Sequence, residues 1–184
     1  MIENPEQAGA SERHTLSIMV ENRPGVLARV TGLFARRAFN ISSLSVSSTE
    51  RSDISRITVT AAVEAVPLEQ IIKQLNKLVN VLKIVDLSGA DAVERELVLI
   101  KVKADEKTRS DVLEIVNLFR VRVVDVHPQS LTIEATGAEG KLEALLGLLR
   151  PFGIVELVRS GAVAVTRGPK ALSDKVPSGR PVRP

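Results

Sequence analysis

The stretch from Glu21 to Leu27, ENRPGVL, holds residue types that suit the binding of a small anion. It follows an alternating apolar segment and leads into a helical pattern, so we expect it at a helix N-terminus, where free N–H groups and the helix dipole attract negative charge. Without a side chain, Gly25 lets a carboxylate approach its own backbone and that of Val26 and Leu27. Asn22 adds a donor and an acceptor beside them. The chemistry predicted here is recognition of a small carboxylate.

A second interpretation of the same residues needs no ligand. Asn22 is of a residue type that caps helices, and glycine closes tight turns between a strand and a helix. Pro24 fits the first helical turn, where its missing N–H has no intrahelical partner. The residues of this loop alone do not decide between an anion site and a capped turn.

Hydrophobic periodicity predicts the elements that hold this loop. Apolar residues alternate from Thr15 to Val20, as in a half-buried strand, and then recur at helical spacing from Val26 to Phe34. Two further alternating segments, joined by a polar loop at residues 50–53, indicate a hairpin. A second helical stripe introduced by Pro67 precedes one more strand. The order β-α-β-β-α-β is that of the ferredoxin-like fold.

The same order repeats in the second half of the chain. The strand RELVLIKVKA precedes a helix that starts with Thr108 and Asp111, spaced as in a capping box. Two strands flank the turn HPQS, and a second box-like pair, Thr136 and Glu139, precedes a leucine-rich helix and a final strand, IVELVRSGAVAV. We predict an α+β protein with two tandem ferredoxin-like βαββαβ domains, each an antiparallel four-stranded sheet with helices on one face.

Composition and charge suggest the domain limits. Residues 13–89 and 90–167 are predicted as the two domains, with residues 1–12 as a disordered N-terminus and 168–184 as a basic disordered tail. Residues 167–184 carry a net charge of +4, against +3 for the whole chain, so the predicted folded body is nearly neutral. A nucleic-acid footprint would cluster on a folded face with aromatic side chains, and the chain has neither Trp nor Tyr. We therefore expect no nucleic-acid partner.

Several kinds of active site and location are excluded by residue usage. The chain has no cysteine and two histidines, His14 and His127, which are too few for a histidine-based metal cluster and are expected at the surface. It has no glycine-rich phosphate loop and no metal-ligand spacing, so neither a catalytic nor a metal site is predicted. The sequence lacks a membrane-spanning apolar run and a signal peptide. We expect a soluble, cytoplasmic protein without a membrane partner.

The second predicted strand, NISSLSVSS, is expected at an exposed edge of its sheet, because the first and third strands are central in this topology. An edge with unpaired backbone groups must be covered, and pairing with the same edge of a second copy is one way to do so. We therefore expect a homodimer. The face of the sheet that is rich in Ser and Thr is expected to stay wet or to meet a partner.

A family resemblance extends over several segments that occur in order. The segments are LSIMVENRPGVLARVTGLFARRAFNISSLSV, DISRITV, EQIIKQLNKLVNVLKIVDL, RELVLIKV and VVDVHPQSLTIEATGAEGKLEALLGLLRPFGIVELVRSGAVAVTRG. They strongly resemble the regulatory small subunits of acetolactate synthase, also called acetohydroxyacid synthase. The first domain of that family is an ACT domain, a small-molecule sensor of amino-acid metabolism. The resemblance runs from about His14 to Gly168, which is nearly the whole predicted folded body.

This resemblance implies a regulatory subunit without an active site of its own. In that family the large subunit carries thiamine diphosphate, a magnesium ion and FAD. It condenses pyruvate with pyruvate or 2-oxobutyrate, a transferase step of branched-chain amino-acid biosynthesis that leads to valine, leucine and isoleucine. The small subunit activates the large one and confers allosteric feedback inhibition by valine. No cofactor is expected in the present chain.

The resemblance also implies an effector site for valine that two protomers share. The residues matched to it are Asn22, Gly25, Val26 and Leu27 of one protomer and Asn40 and Ile41 of its neighbour. The chain departs from the family pattern at Ala38, where glycine is common, and at Ser42, where an acidic residue is common. An alternative function is that of a free-standing tandem ACT sensor that regulates another enzyme or regulator. A ferredoxin-like RNA-binding protein fits poorly, because the outward sheet positions lack aromatic residues.

Overall fold

The computed structural model describes residues 12–37, 39–63, 68–89 and 91–169. Ala38, Pro67 and nearly all of the two predicted disordered ends lie outside this range. The described residues divide into two units, the first formed by those up to Val93 together with residues 164–169, and the second by Glu94–Val163. No described helix is long and apolar enough to cross a lipid bilayer.

The first unit has the predicted order of elements. They are β1 (Glu12–Glu21), α1 (Val26–Arg36), β2 (Asn40–Ser48), β3 (Ile54–Val63), α2 (Leu68–Leu75) and β4 (Val81–Asp86). The strands form an antiparallel sheet in the order β2-β3-β1-β4, so β2 is an edge strand, as predicted. Alternation along β1 buries Leu16, Ile18 and Val20 in one core with Phe34 of α1 and Ile71 of α2.

The second unit repeats this architecture. Its elements are β5 (Ala92–Lys103), α3 (Arg109–Phe119), β6 (Arg122–His127), β7 (Ser130–Gly137), α4 (Glu139–Leu149), a 3-10 turn (Arg150–Phe152) and β8 (Ile154–Arg159). The strand β9 (Val163–Thr166) follows, and from Ala164 onward it belongs to the first unit, as do Ala92 and Val93. The strand order is β6-β7-β5-β8, with β9 also paired to β5. The fold class of two tandem ferredoxin-like domains is therefore confirmed.

The final strand differs from the prediction, because the predicted single strand is two strands, β8 and β9. Residues 160–162 separate them, and Gly161 there has φ +79°. A left-handed backbone conformation does not continue a pleated strand, so the pairing is interrupted at this glycine.

The two units match residue by residue where the first strand pairs with the third and fourth: Val20 pairs with Ser55 and Val81, and Val102 pairs with Leu131 and Ile154. Each unit has one bulge where its first strand pairs with its fourth (β1–β4 and β5–β8). It has another where its second strand pairs with its third (β2–β3 and β6–β7). These bulges lie between Met19 and Val20, Lys101 and Val102, Ile41 and Ser43, and Val123 and Asp125. This correspondence gives the residues of β1, β3 and β4 equivalents in β5, β7 and β8. The second strands differ, because the bulge lies opposite Ala61 and Thr60 in the first unit but opposite Ile133 and Thr132 in the second.

The Ser- and Thr-rich face of the first sheet is buried at its centre. Thr15, Ser17, Thr58 and Thr60 are each at most 3% exposed. The hydroxyls of Thr15 and Thr60 lie 3.5 Å apart, within hydrogen-bond distance. The Ser17 hydroxyl is buried and has no partner in the described part of the chain. The expectation that this face stays wet was wrong at these positions.

Neither predicted capping box forms. Thr108 precedes α3, but its side chain makes no capping bond to the helix. Thr136 lies within β7, and Ala138 is the residue before α4. Spacing alone predicted these caps, whereas the turn geometry directs the Thr108 hydroxyl to Asp105 and keeps Thr136 in the sheet.

Candidate functional site

The loop between β1 and α1 turns into the helix at Gly25. This residue has φ 82° and ψ −9°, a left-handed conformation, and α1 begins at the next residue. Pro24 and Gly25 therefore precede the helix, and the expectation that Pro24 lies in its first turn was wrong. The left-handed backbone explains the glycine without any ligand, because it costs an L-residue roughly 1–2 kcal/mol. A Cβ at Gly25 would meet no atom within 4 Å, so the approach to this backbone is open.

The N-terminus of α1 keeps its backbone donors available. No side chain caps the helix, and its first turn contains no acidic residue. The N–H of Val26 reaches the carbonyl of Arg23 only at 3.4 Å. No described residue accepts a hydrogen bond from the N–H of Leu27 or Ala28. These groups, at the positive end of the helix dipole, are suited to bind a carboxylate.

Asn22 does not cap α1. Its side-chain Nδ2 donates to the carbonyl of Ser52 at 2.9 Å, and its backbone N–H donates to the carbonyl of Asp53 at 2.8 Å. The capped-turn interpretation is therefore wrong for Asn22, although the tight turn at Gly25 is real. Because this bond fixes Nδ2 on the Ser52 carbonyl, Oδ1 lies on the other side of the amide and is the acceptor that this exposed side chain can offer a ligand.

Val26 and Leu27 contribute to the site in different ways. Val26 is 4% exposed and belongs to the core, so it can offer a ligand only its backbone. Leu27 is 39% exposed and presents apolar surface beside the free N–H groups. A ligand with a carboxylate and a small apolar group fits this arrangement.

Polar residues that the sequence did not single out flank the loop. Asn80, in the turn before β4, accepts a hydrogen bond at Oδ1 from Arg29 of α1 at 2.9 Å. Its Nδ2 donates to Oε2 of Glu21 at 2.7 Å. Arg23 lies 3.6 Å from the same Glu21 oxygen. Asn80 lies 59 residues from Glu21 in the sequence, so neither periodicity nor local spacing points to it.

The second unit has no comparable opening. Ala104 is the equivalent of Asn22, and its N–H donates to the carbonyl of Gln129 just as that of Asn22 donates to Asp53. Oδ1 of Asp105 accepts hydrogen bonds from the backbone N–H groups of Lys107 and Thr108 and from the Thr108 hydroxyl. These bonds, chiefly that from the hydroxyl, hold the pKa of Asp105 below its usual value. The chain's own carboxylate thus occupies the loop before α3.

The remaining predicted site residues, Asn40 and Ile41, lie far from this loop within one chain. Asn40 pairs with Ala62 at one end of β2, whereas Ser48 at the other end pairs with Ser55. Eight residue steps along a strand span roughly 27 Å. The structure therefore brings together the predicted residues before and within α1, but not Asn40 and Ile41.

The residues next to Asn40 and the two histidines differ in their exposure. Ile41 precedes a bulge, and Ser42 is exposed there. His127 is exposed at the end of β6, whereas His14 lies half-buried within β1, so the surface expectation for His14 was wrong in part. No group of three or more potential metal ligands occurs in the described ranges.

Comparisons with known proteins identify both units. A family model described as an AHAS small subunit-like ACT domain matches residues 16–83, and one described as the small subunit of acetolactate synthase matches residues 95–168. The acetolactate synthase small subunit of Mycolicibacterium smegmatis is 60% identical over 159 residues, which cover 86% of this chain and 94% of that protein. A probable acetolactate synthase small subunit of Archaeoglobus fulgidus is 50% identical over 158 residues, 86% of this chain and 99% of that protein.

A solved structure agrees with these matches. The crystal structure of the acetolactate synthase small subunit from Thermotoga maritima superposes with a TM-score of 0.77 at 39% identity, covering 86% of this chain and 99% of that one. The sequence matches of the two units and the structural superposition therefore indicate the same family. The chain belongs to the family of acetolactate synthase small subunits.

Proposed function

We propose that this chain is the non-catalytic regulatory subunit that activates a large acetolactate synthase subunit, and that valine bound at the start of α1 inhibits the complex. The observation that supports this is the open N-terminus of α1 beside Asn22, in a chain of the small-subunit family. Thiamine diphosphate, magnesium and FAD belong, in this proposal, to the large subunit.

Each part of valine has a counterpart at the proposed site. The carboxylate approaches the backbone of Gly25, Val26 and Leu27 at the N-terminus of α1, an attraction of about 0.3–1 kcal/mol when exposed and up to about 2 kcal/mol when partly buried. The ammonium group donates hydrogen bonds to Oδ1 of Asn22 and to the side chain of Asn40 of a second protomer. One methylene changes binding by only about 1–3 kcal/mol, so leucine and isoleucine are expected as weaker effectors.

The contrast between the two edge strands supports a homodimer through β2. The nine residues of β2 include no charged residue and no proline, and only one bulge near its start interrupts its pairing with β3. The equivalent β6 is six residues long, bulged, and carries Arg122, Asp125 and His127. Charges and bulges protect an edge from pairing with another chain, so β6 is protected and β2 is open.

Antiparallel pairing of two β2 strands would complete the effector site. A two-fold axis across β2 brings the Asn40 end of one strand toward the Ser48 end of the other. Ser48 leads into the turn whose Ser52 binds Asn22. Asn40 and Ile41, which lie far from the loop in their own chain, would thus reach the loop of the neighbouring protomer.

Regulation then follows from valine that bridges two protomers. Bound valine favours one relative arrangement of the dimer, in which the attached large subunit is less active. A coupling free energy of roughly 1–3 kcal/mol gives a 5- to 150-fold effect on affinity. A coupling free energy of this size is typical of a small allosteric ligand.

Reconstitution with the large subunit of the same organism tests the proposal. The rate of acetolactate formation is measured for the large subunit alone, with this chain added, and with this chain and valine. We expect the chain to raise the rate and valine to lower it. No rise and no effect of valine would contradict the proposal, and failure to co-purify with the large subunit would favour the free-standing sensor instead.

A further inference from the structure

Asn80 closes the loop that holds the proposed effector site. Its backbone carbonyl accepts the N–H of Glu21 at 2.9 Å, and its Nδ2 donates to the Glu21 carboxylate at 2.7 Å. Its Oδ1 accepts from Nη1 of Arg29 at 2.9 Å. Glu21 immediately precedes Asn22, and the N–H of Arg29 makes the first bond of α1, to the carbonyl of Gly25. One side chain therefore ties together the residues on both sides of the loop.

The second unit provides an internal comparison. Val20 pairs with Val81 and Val102 pairs with Ile154, so the preceding residues Asn80 and Gly153 are equivalent. The backbone bond is kept, because the N–H of Lys103 donates to the carbonyl of Gly153 at 3.0 Å. The side-chain bonds are not possible at a glycine. The backbone bond thus serves the shared fold, whereas the side-chain clamp occurs in the unit with the open helix start.

We infer that Asn80 is a positioning residue for the effector site, which it holds in shape through Glu21 and Arg29 without touching the ligand. The inference depends on the proposed function, because it assigns Asn80 a role at that site. With the clamp in place, the distance between Asn22 and the start of α1 is set before the ligand arrives. Pre-organisation of this kind lowers the cost of ordering the site on binding.

A side-chain exchange tests this role against a general effect on folding. Asn80→Asp places a carboxylate against that of Glu21, so the pair repels and the clamp opens. Glu21→Gln keeps an acceptor for Nδ2 of Asn80. In the double variant E21Q/N80D, the amide of Gln donates to Asp while Arg29 still donates to Asp, so the clamp is rebuilt with its two polar partners exchanged. Asn76→Ala is the control, because Asn76 is an exposed residue of the same turn region.

Valine binding to the full chain is measured by calorimetry, and folding is followed by thermal unfolding. For Asn80→Asp we expect valine affinity about tenfold or more below that of the wild type. Glu21→Gln and Asn76→Ala should bind within about threefold of the wild type, and E21Q/N80D should recover most of the loss. The unfolding midpoint should not follow this pattern.

The outcomes separate the two claims. Unchanged valine affinity in Asn80→Asp would overturn the positioning role and leave the proposed function standing. Lost affinity that tracks a lowered unfolding midpoint, with no recovery in the double variant, would reduce Asn80 to a folding role and overturn the inference. A wild-type chain that binds no valine in calorimetry and shows no valine inhibition in the reconstituted complex would overturn the proposed effector site itself.

Discussion

The side-chain amide of Asn22 donates a hydrogen bond to the backbone carbonyl of Ser52, at 2.9 Å. This bond joins the loop before α1 to the turn between β2 and β3. Because β2 ends at Ser48, the candidate ligand loop and the proposed dimer edge are connected through a short stretch of chain. A ligand that changes the position of Asn22 would therefore act on the strand proposed to pair with a second copy.

Substitutions at Gly25 separate the effects of backbone strain and of charge. Gly25→Asp should abolish inhibition by valine, because it places a carboxylate where that of valine is proposed to bind. Gly25→Ala introduces the strain, roughly 1–2 kcal/mol, and a methyl group but no charge, and should weaken inhibition less. Gly168 has a similar φ of +78° and equally open surroundings, so Gly168→Asp is the matched control and should leave inhibition unchanged. The measurement is the ratio of reaction rates with and without valine; full inhibition of Gly25→Asp would show that the site is elsewhere.

A lysine on β2 should weaken the dimer. Val46 is 44% exposed on this edge strand, so Val46→Lys adds a charge to the edge without emptying the core. We expect its dimer dissociation constant, measured by sedimentation equilibrium, to rise at least about tenfold, with a parallel loss of valine binding. Val126→Lys on β6, where Val126 is 64% exposed, is the control on the edge strand of the second unit and should associate like the wild type. Equal effects of the two variants would argue against β2 as the interface.

Arg109 should stabilise the second unit. The two hydrogens of its Nη2 are shared among the carbonyls of Ala104, His127 and Pro128, at 3.1, 2.8 and 2.7 Å, which fastens the β6–β7 turn to the start of α3. Arg109→Met should lower the free energy of unfolding by about 1.5–3 kcal/mol, because these carbonyls lose a charged donor. Urea unfolding provides the measurement, with Lys107→Met as a surface control expected within about 0.5 kcal/mol of the wild type. A decrease in unfolding free energy no larger than that of the control would mean that these hydrogen bonds make no net contribution to stability.

The stabilising effect of Asp105 should depend on pH. Its pKa in the folded chain lies below the ordinary value of 3.8, chiefly because the Thr108 hydroxyl and then the Thr108 and Lys107 N–H groups bind the carboxylate. A lowered pKa contributes stability above the ordinary value, and this contribution is lost as pH falls through the folded pKa. Asp105→Asn should therefore be less stable than the wild type near neutral pH, and the difference should shrink below about pH 4. A difference in unfolding free energy that is constant with pH would contradict this assignment.

The buried hydroxyl of Ser17 should be dispensable. It is fully buried at the centre of the first sheet and has no partner among the described residues. Ser17→Ala removes this desolvated group and should raise the free energy of unfolding by up to about 1 kcal/mol. Ser47→Ala, at an exposed position of β2, is the control and should have almost no effect. Clear destabilisation by Ser17→Ala, measured by thermal unfolding, would indicate a hydrogen bond that the structure lacks.

Local periodicity was enough to predict the fold. The alternation of Leu16, Ile18 and Val20 and the helical spacing from Val26 to Phe34 reflect one-sided burial, which is visible in a single segment. The position of β2 at the edge then followed from the order of elements. The strand break at Gly161 was not predictable in this way, because an apolar alternation continues across it and only the backbone conformation interrupts it.

For the candidate site, some features were predictable from the sequence and others were not. The loop, its glycine and asparagine, and its contrast with the acidic loop before α3 were predictable from the sequence, because these depend on residue types at neighbouring positions. Three sets of contacts were not predictable from the sequence: Asn22 binds Ser52, Asn80 clamps Glu21 to Arg29, and Asp105 rather than Thr108 caps the loop before α3. They were not predictable because a hydrogen bond depends on distance and direction between groups. Groups 30 or 59 residues apart acquire these only when the sheet has aligned its strands.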